Sequence, residues 1–141
     1  MSGQSDTWRF IGKYRGIVLD NADPQQLGRI RASVPAVAAD GLGWALPCLP
    51  YAGPGVGFFA IPPIGASVWV EFEAGDPALP IWTGCFWADP AHVPAAAKET
   101  PGMPTMKGFI TEFGKSTIDD RAGLAGLKMA TRSGRDETVP D

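Results

Sequence analysis

The chain has 141 residues, enough for one domain and a tail, with 12 basic and 15 acidic residues and a formal net charge of −3. Positions 34–106 contain six acids but only one Lys or Arg, which argues against a phosphate-binding surface there. The 18 Gly and 14 Pro alternate with short apolar runs, a composition typical of an all-β chain and not of a helical one.

The chain start and the apolar stretches indicate where the protein is made. The sequence MSGQSDTW lacks the charged and apolar regions of a signal peptide. Pro and Gly interrupt each apolar stretch well before the roughly 20 residues that a membrane helix needs. We therefore expect cytoplasmic assembly without stable membrane insertion. In that compartment Cys48 and Cys85 are expected to be reduced and buried as small apolar side chains.

The first predicted element is a long hairpin. Residues 14–21 alternate, with Ile17 and Leu19 on one face and Gly16 and Val18 on the other. The loop DNADPQQLG has the residues of a turn. The run GRIRASVP then alternates strictly between two faces, which hold Ile30, Ala32 and Val34 on one side and Arg29, Arg31 and Ser33 on the other. This pattern predicts a hairpin with one buried face.

A short third strand is predicted over residues 44–49, confined to an edge or a bulge because Pro47 cannot donate a hydrogen bond to a neighbouring strand. The Gly-rich segment AGPGVG is predicted to be a connecting link. In the following FFAIPPIG, the two prolines predict a rigid turn into the next strand.

The closing hairpin is the most regular part of the sequence. In SVWVEFEAG, Val68, Val70 and Phe72 form one face, and Trp69, Glu71 and Glu73 form the other. Gly75, Asp76 and Pro77 predict a tight turn into PIWTGCFW. In that partner strand Ile81 and Cys85 are placed on one face and Trp82 and Phe86 on the other, so both faces are apolar. Because a small barrel has one interior, we expect another subunit to cover the second face.

Five short strands in this arrangement predict an OB-type Greek-key barrel over residues 1–87, including an N-terminal extension. Residues 88–107 are rich in Pro and Ala and predict an extended linker. Residues 108–141 predict short two-faced strands at 109–113, 116–119 and 126–131, separated by Gly-Lys, Asp-Asp and Ser-Gly turns. Such a strip has too little apolar surface to fold alone, so it needs the barrel or copies of itself beside it.

Two stretches of the sequence, LGRIRASVP and the segment from WALP to GCFW, resemble the OB domain of phage baseplate assembly protein V and of the valine-glycine-repeat spike proteins of type VI secretion. The similarity covers about residues 14–87, and FEAGDPALPIWTG is its most specific part. The residues that match the family motif are Gly28, Arg29, Trp44, Pro62, Gly65, Val70, Phe72, Glu73, Gly75, Asp76, Pro77 and Gly84. Ordinary turn and core chemistry explains each of them.

The segment ITEFGKSTIDDRAGLAGLKMATRSG is similar to the start of the intertwined spike in the same proteins, with Lys115 where a His is usual. The resemblance implies a homotrimer on the tail axis that connects tail tube and baseplate hub to a membrane-puncturing tip. Relatives that hold iron at the tip do so through His-x-His pairs. This chain has no such pair, which implies a separate tip protein or a blunt tail. The candidate subunit contacts are Trp69, Trp82, Phe86, Ile110, Ile118, Leu127 and Met129.

The sequence offers little support for catalysis, a cofactor or a metal. His92 is the only histidine and lies in the Pro/Ala segment, so no nucleophile–base pair is predicted. Glu71 and Glu73 share a strand face with Trp69, where no cleft is expected. The alternative function is a single-stranded nucleic-acid-binding OB module, but the aromatic residues are interleaved with acids and prolines and not with Lys and Arg. A third alternative is a degenerate cell-wall hydrolase.

Overall fold

The computed structural model describes residues 9–38, 40–102, 104–132 and 136–140, the last of these by backbone alone. Those residues form strands and short 3-10 turns and contain no α-helix, which confirms the all-β prediction. The chain divides into two compact units, one ending at Ala88 and the other beginning at Asp89.

The first unit is built around a curled five-stranded sheet. Its strands are β1 (Tyr14–Asp20), β2 (Arg31–Ser33), β3 (Leu46–Pro47), β6 (Ser67–Phe72) and β7 (Pro80–Phe86), in the order β2-β1-β6-β7-β3. Neighbours are antiparallel, except that β3 runs parallel to β7. Two further strands, β4 (Ala52–Gly53) and β5 (Val56–Gly57), form a separate small hairpin inside the predicted Gly-rich link.

The two ends of the sheet meet through one residue pair. Ile30, just before β2, donates to the carbonyl of Ala45 at 3.1 Å, and Ala45, just before β3, donates back at 2.7 Å. The sheet therefore curls around a single interior, as an OB domain does. The third strand is shorter than predicted, because Pro47 and Pro50 interrupt its pairing.

The core of this unit consists of the inward residues of the alternating strands. Ile30, Val34, Val68 and Val70 have no exposed surface. The faces predicted for the first hairpin are confirmed, and the inner face of β1 is the one that carries Gly16 and Val18. A Cβ at Gly16 would lie 3.1 Å from the Ser33 carbonyl oxygen, so a larger residue would require β2 to shift by a few tenths of an ångström. The outward Ile17 and Leu19 are exposed.

A one-residue bulge reverses the alternation of β7. Val70 lies opposite Trp82, whereas the preceding Trp69 lies opposite Gly84, so Thr83 is the extra residue. Trp82 therefore points into the core and is 5% exposed. The ring of Phe86 packs on the outer face beside Trp69 instead. The prediction that Trp82 and Phe86 share a face is wrong, because one inserted residue exchanges the two faces of every residue beyond it.

The two cysteines are free, but the prediction that they are buried is wrong. Both are exposed. Cys48 follows β3 directly, and Cys85 is the last residue but one of β7. The pairing of β3 with β7 ends at Pro47 and Trp82, so neither cysteine lies beside a paired residue of the other strand.

The second unit contains an antiparallel sheet of four strands. They are β8 (Met106–Ile110), β9 (Gly114–Asp119), β10 (Gly126–Thr131) and β11 (Asp136–Pro140), in the order β11-β10-β9-β8. Strand β11 was not predicted. Strand β8 ends at Ile110, earlier than predicted, because Thr111 forms a turn. The Thr111 N–H donates to the Gly114 carbonyl at 2.8 Å, and the Thr111 Oγ1 accepts from the Gly114 N–H at 3.1 Å. The predicted Ser-Gly turn at residues 133–134 lies outside the described residues.

The predicted linker is not extended. It contains two 3-10 turns, Pro90–His92 and Ala95–Lys98. The Asp89 carboxylate caps the first turn by accepting from the Ala91 N–H at 2.7 Å. An Asp-Pro pair and a run of alanines thus fold locally, although the segment has no hydrophobic period.

We predict that Trp82→Ala lowers the free energy of unfolding by about 3–5 kcal/mol, because it leaves a cavity in the core. Trp82→Phe should have a smaller effect, since it keeps most of the ring but removes the indole N–H that donates to the Gly28 carbonyl at 3.0 Å. The matched control is Trp87→Ala, whose side chain is 60% exposed and whose loss should change stability by less than about 0.5 kcal/mol. Urea unfolding followed by circular dichroism measures all three, and equal effects at positions 82 and 87 would contradict the core assignment.

Candidate functional site

Arg15, Trp69 and Phe86 form an aromatic cluster on the outer face of the five-stranded sheet. Arg15 lies opposite Trp69 across β1 and β6, and Phe86 follows on β7. The two ring centroids are 4.5 Å apart, and the Arg15 guanidinium carbon lies 5.4 Å from the Trp69 centroid and 5.1 Å from that of Phe86. Cation–π contacts of this kind contribute about 0.5–1 kcal/mol where exposed. The second apolar face predicted from the sequence is therefore partly covered by an arginine of the same chain.

The loop between β1 and β2 is organised by one carboxylate. Asp23 accepts from the Arg29 Nε at 2.9 Å and Nη2 at 2.7 Å, and its side chain is only 4% exposed. Its oxygens also accept from three backbone N–H groups of the loop, those of Gln25, Leu27 and Arg29. Hydrogen bonding to Arg29 holds the pKa of Asp23 well below its usual range. Five donors on one carboxylate fix the whole loop.

Three motif residues, Gly28, Arg29 and Trp44, meet at the end of this loop. The Arg29 guanidinium carbon lies 5.6 Å from the centroid of a Trp44 ring. Gly28 has a φ of 74°, and its carbonyl accepts from Trp82 in the core. A Cβ at Gly28 would approach Ile61 Cδ1 to 3.1 Å. These residues thus hold the loop against the barrel, and none of them forms a cleft.

The turn between β6 and β7 contains the predicted Gly75-Asp76-Pro77. Gly75 is buried with a φ of 78°, and Asp76 Oδ1 accepts from the Ala78 N–H at 2.9 Å. This is the Asx turn expected of that aspartate. Glu73 belongs to a 3-10 turn, Glu73–Gly75, so its prediction as a residue of the strand face is wrong. The chain leaves β6 here because Asp76 donates its N–H to the Glu73 carbonyl at 3.0 Å.

The other motif residues also lie in turns or in the core. Pro62 is buried, and its carbonyl accepts from Asn21 Nδ2 at 3.0 Å. Gly65 has a φ of 89° and donates to the Val18 carbonyl at 2.9 Å. Gly84 lies at the bulge of β7 with a φ of 149°. Together with the buried Val70 and Phe72, these residues form turns and core.

One face of the C-terminal sheet carries most of its apolar side chains. Phe109, Ser116 and Met129 are direct neighbours across β8, β9 and β10. Lys107, Ile118 and Leu127 form a second row on the same face, and the Lys107 Nζ donates to the Asp120 carboxylate at 2.7 Å. Phe109 and Met129 are 54% and 53% exposed. Because Ser116 is small, a shallow groove of about 400 Å³ lies between them. We refer to Phe109, Ile118, Leu127 and Met129 as the apolar face of this sheet.

Ile110 lies on the opposite face of the C-terminal sheet. It pairs with Lys115, and successive residues of a strand alternate between faces. The prediction that Ile110, Ile118, Leu127 and Met129 form one apolar row is therefore corrected: Phe109 takes the place of Ile110. The register between β8 and β9 explains the difference, because it places Phe109 opposite Ser116, on the face of Ile118, and Ile110 opposite Lys115.

The described part of the chain lacks three further features: a cluster of metal ligands, an unpaired buried polar side chain and a membrane-spanning helix. No group of three or more His, Cys, Asp and Glu residues there is arranged to hold a metal ion. Among the residues whose side chains the structure describes, no buried side-chain nitrogen or oxygen lacks a hydrogen-bond partner. None of the helical segments described is both long enough and apolar enough to cross a membrane.

Sequence reasoning missed Asp23 and Arg15, whose contacts define the loop and the outer cluster. For Asp23 a signal was present, since Asp followed by Pro and Gln inside a loop is typical of a carboxylate that caps backbone N–H groups. For Arg15 no local signal exists, because its position over two rings depends on the pairing of three strands.

Comparison with known proteins gives a match for the first unit. The sequence profile of a family described as the type VI secretion system/phage-baseplate injector OB domain matches residues 14–87. The matched range begins at the first residue of β1 and ends one residue after β7, so it contains all five strands of the curled sheet. A search of curated proteins found no match.

We predict that Asp23→Asn lowers the midpoint of thermal unfolding at pH 7, because Arg29 and the loop N–H groups lose their shared carboxylate. The lowered pKa means that the ionised Asp23 stabilises the fold above its ordinary pKa of about 4, and that this stabilisation is lost as the pH falls further. The difference between wild type and variant should therefore be largest above pH 5 and shrink toward pH 2. The control is Asp40→Asn, at an exposed carboxylate, and a difference that does not change with pH would contradict the role given to Asp23.

Proposed function

The chain belongs to the family of type VI secretion system and phage-baseplate injector OB domains, and on that premise we propose that it forms a homotrimer on the axis of a contractile phage tail or related injection system. In this role it links the tail tube and baseplate hub to the membrane-puncturing tip. The family supports a structural baseplate role and a place in a virion or injection particle. The trimer, the partners and the absence of catalysis are our proposal.

The observation that carries the trimer is the exposed apolar face of the C-terminal sheet. Among the residues described beyond Asp89, Thr117 alone is buried. Phe109, Ile118 and Met129 remain about half exposed. A sheet with one uncovered apolar face has no second layer to form a core. Copies of the same chain would supply that layer.

Three such sheets can surround one axis with their apolar faces turned inward. The strand order places β8 and β11 at the two edges of each sheet, and edges of neighbouring copies can then pair. The product is a triangular β-prism in which backbone groups and apolar side chains are both covered. A spike that transmits force along its axis needs the stiffness of such a prism.

The outer cluster of the OB unit is the second candidate contact between copies. Trp69 and Phe86 are half-buried in the single chain, and their rings contact each other at an interplanar angle of 35°. Trp82 is no longer a candidate, because its side chain lies in the core. Contacts that contain aromatic and arginine side chains are typical of protein interfaces.

A single-stranded nucleic-acid-binding function has one observation in its favour, the stacking surface of Trp69 and Phe86 beside Arg15. The neighbouring Lys13, however, forms an ion pair with Glu71 at 2.9 Å. No Lys or Arg occurs from residue 32 to residue 97. Because the binding of single-stranded nucleic acid depends on a groove lined with Lys and Arg, we favour the structural role.

We expect light scattering to give a mass three times the 14.9 kDa of one chain. Removal of residues 108–141 should weaken the trimer, so that it dissociates at protein concentrations at which the full chain is still trimeric. The reason is that the apolar face is removed, whereas the OB unit keeps its own core. Analytical ultracentrifugation compares the two proteins, and circular dichroism checks that the shorter one is folded. A shorter protein that remains as tight a trimer as the full chain would refute the role of the C-terminal sheet.

A matched pair of variants tests which face of the C-terminal sheet forms the contact between copies. Met129→Glu places a charge on the apolar face and should raise the dissociation constant of the trimer at least about tenfold, since three charges would meet in a contact without partners. Ile110→Glu introduces the same charge on the opposite face and should have little effect. Sedimentation of both variants at several concentrations distinguishes them. A larger effect at position 110 than at 129 would contradict the assignment of the faces.

A further inference from the structure

The connection between β3 and β6 carries a projecting apolar segment that neither the family motif nor the proposed trimer uses. Residues 50–60, with the sequence PYAGPGVGFFA, are all exposed. Tyr51 is 60% exposed, Phe58 55% and Phe59 80%. We refer to residues 50–60 as the aromatic arm. Two adjacent exposed phenylalanines on an ordered segment are typical of a binding surface.

The aromatic arm has defined structure. Strands β4 and β5 pair inside it, with Ala52 opposite Gly57 and Gly53 opposite Val56. The Phe58 N–H donates to the Tyr51 carbonyl at 2.8 Å and extends this pairing. Part of the backbone of the arm is therefore hydrogen-bonded within the arm, and its aromatic side chains are presented by a short hairpin.

Both ends of the aromatic arm are fastened to the barrel. Leu49 before it and Ile61 after it pack against the core. The Cys48 N–H donates to the Trp82 carbonyl at 2.9 Å, and the Pro62 carbonyl accepts from Asn21 at 3.0 Å. Such anchoring lowers the conformational entropy that the arm would lose on binding.

The charge pattern defines the kind of surface that the arm can contact. Residues 41–70 contain no Asp, Glu, Lys, Arg or His, a run of thirty residues with the arm near its centre. Without a cation the arm cannot neutralise phosphates, which argues against nucleic acid and against an anionic membrane. Its exposed, uncharged aromatic side chains fit a concave apolar pocket on a protein.

The ring and cation contacts of the outer cluster join Arg15, Trp69 and Phe86, and none of them involves a residue of the aromatic arm. A contact between copies at that cluster would therefore leave the aromatic arm for a different protein. We infer that the aromatic arm docks this protein into an uncharged apolar pocket of a non-identical baseplate subunit, with Phe58 and Phe59 as the anchoring side chains. This inference rests on the proposed function, since it takes the chain to be part of a baseplate.

The test uses particles purified from the producing cells. In Phe58→Ser/Phe59→Ser, the amount of this chain per particle should fall about tenfold or more, because two anchoring rings of an interface are removed. The control is Ile11→Ser, at a residue that is 79% exposed outside the arm, and its amount should be unchanged. Light scattering of the isolated variants should give the wild-type mass. Normal amounts of the double variant in particles would overturn the inference.

A photo-crosslinking amino acid at position 59 identifies the neighbour. Irradiation of the assembled particle should give an adduct with a different protein, attached to apolar residues. An adduct between two copies of this chain, or no adduct, would overturn the inference. The inference would also be overturned if the isolated protein sedimented with phosphatidylcholine vesicles and lost this binding when Phe59 was replaced. The failure of the proposed trimer would be recognised separately, as a wild-type mass of one chain in solution.

Discussion

The reciprocal hydrogen bonds between Ile30 and Ala45 join the two ends of the five-stranded sheet, and much of the first unit depends on this closure. A sheet curled on itself has one interior, so each strand can bury only one of its faces. That interior is filled by Val18, Ile30, Val68 and Val70, and the loop of β1–β2 is tied to it through Trp82 and Gly28. Each apolar side chain outside this interior then needs another explanation, either local cover or a partner.

Both explanations apply to apolar side chains of this protein. Arg15 lies over the rings of Trp69 and Phe86, so part of the outer apolar surface is covered by the same chain. The apolar face of the C-terminal sheet and the aromatic arm have no such cover among the described residues. In a protein of the injector OB family, which works as a component of a baseplate, exposed surfaces of this kind are expected at contacts between subunits.

The two units differ in how their stability arises. The first has a core in which several side chains are fully buried, and its loops are fixed by a carboxylate with five donors. The second has a paired backbone but little buried apolar surface in the part that is described. Hydrogen bonds between strands contribute little net stability without burial, because water competes for the same groups. We therefore expect the first unit to fold by itself and the second to depend on assembly.

The sequence by itself determined the features that depend on neighbouring residues. Strict alternation identified the inner faces of β2 and β6, the Gly-Asp-Pro run predicted the turn before β7, and the motifs predicted the family. Tertiary structure decided the rest. A single bulge at Thr83 placed Trp82 in the core, and the register between β8 and β9 placed Phe109 on the apolar face where Ile110 was predicted. The pairing of β3 with β7 ends before Cys48 and Cys85, and both are exposed. These outcomes depend on the register between distant strands, and a two-residue period read along one strand contains no information about that register.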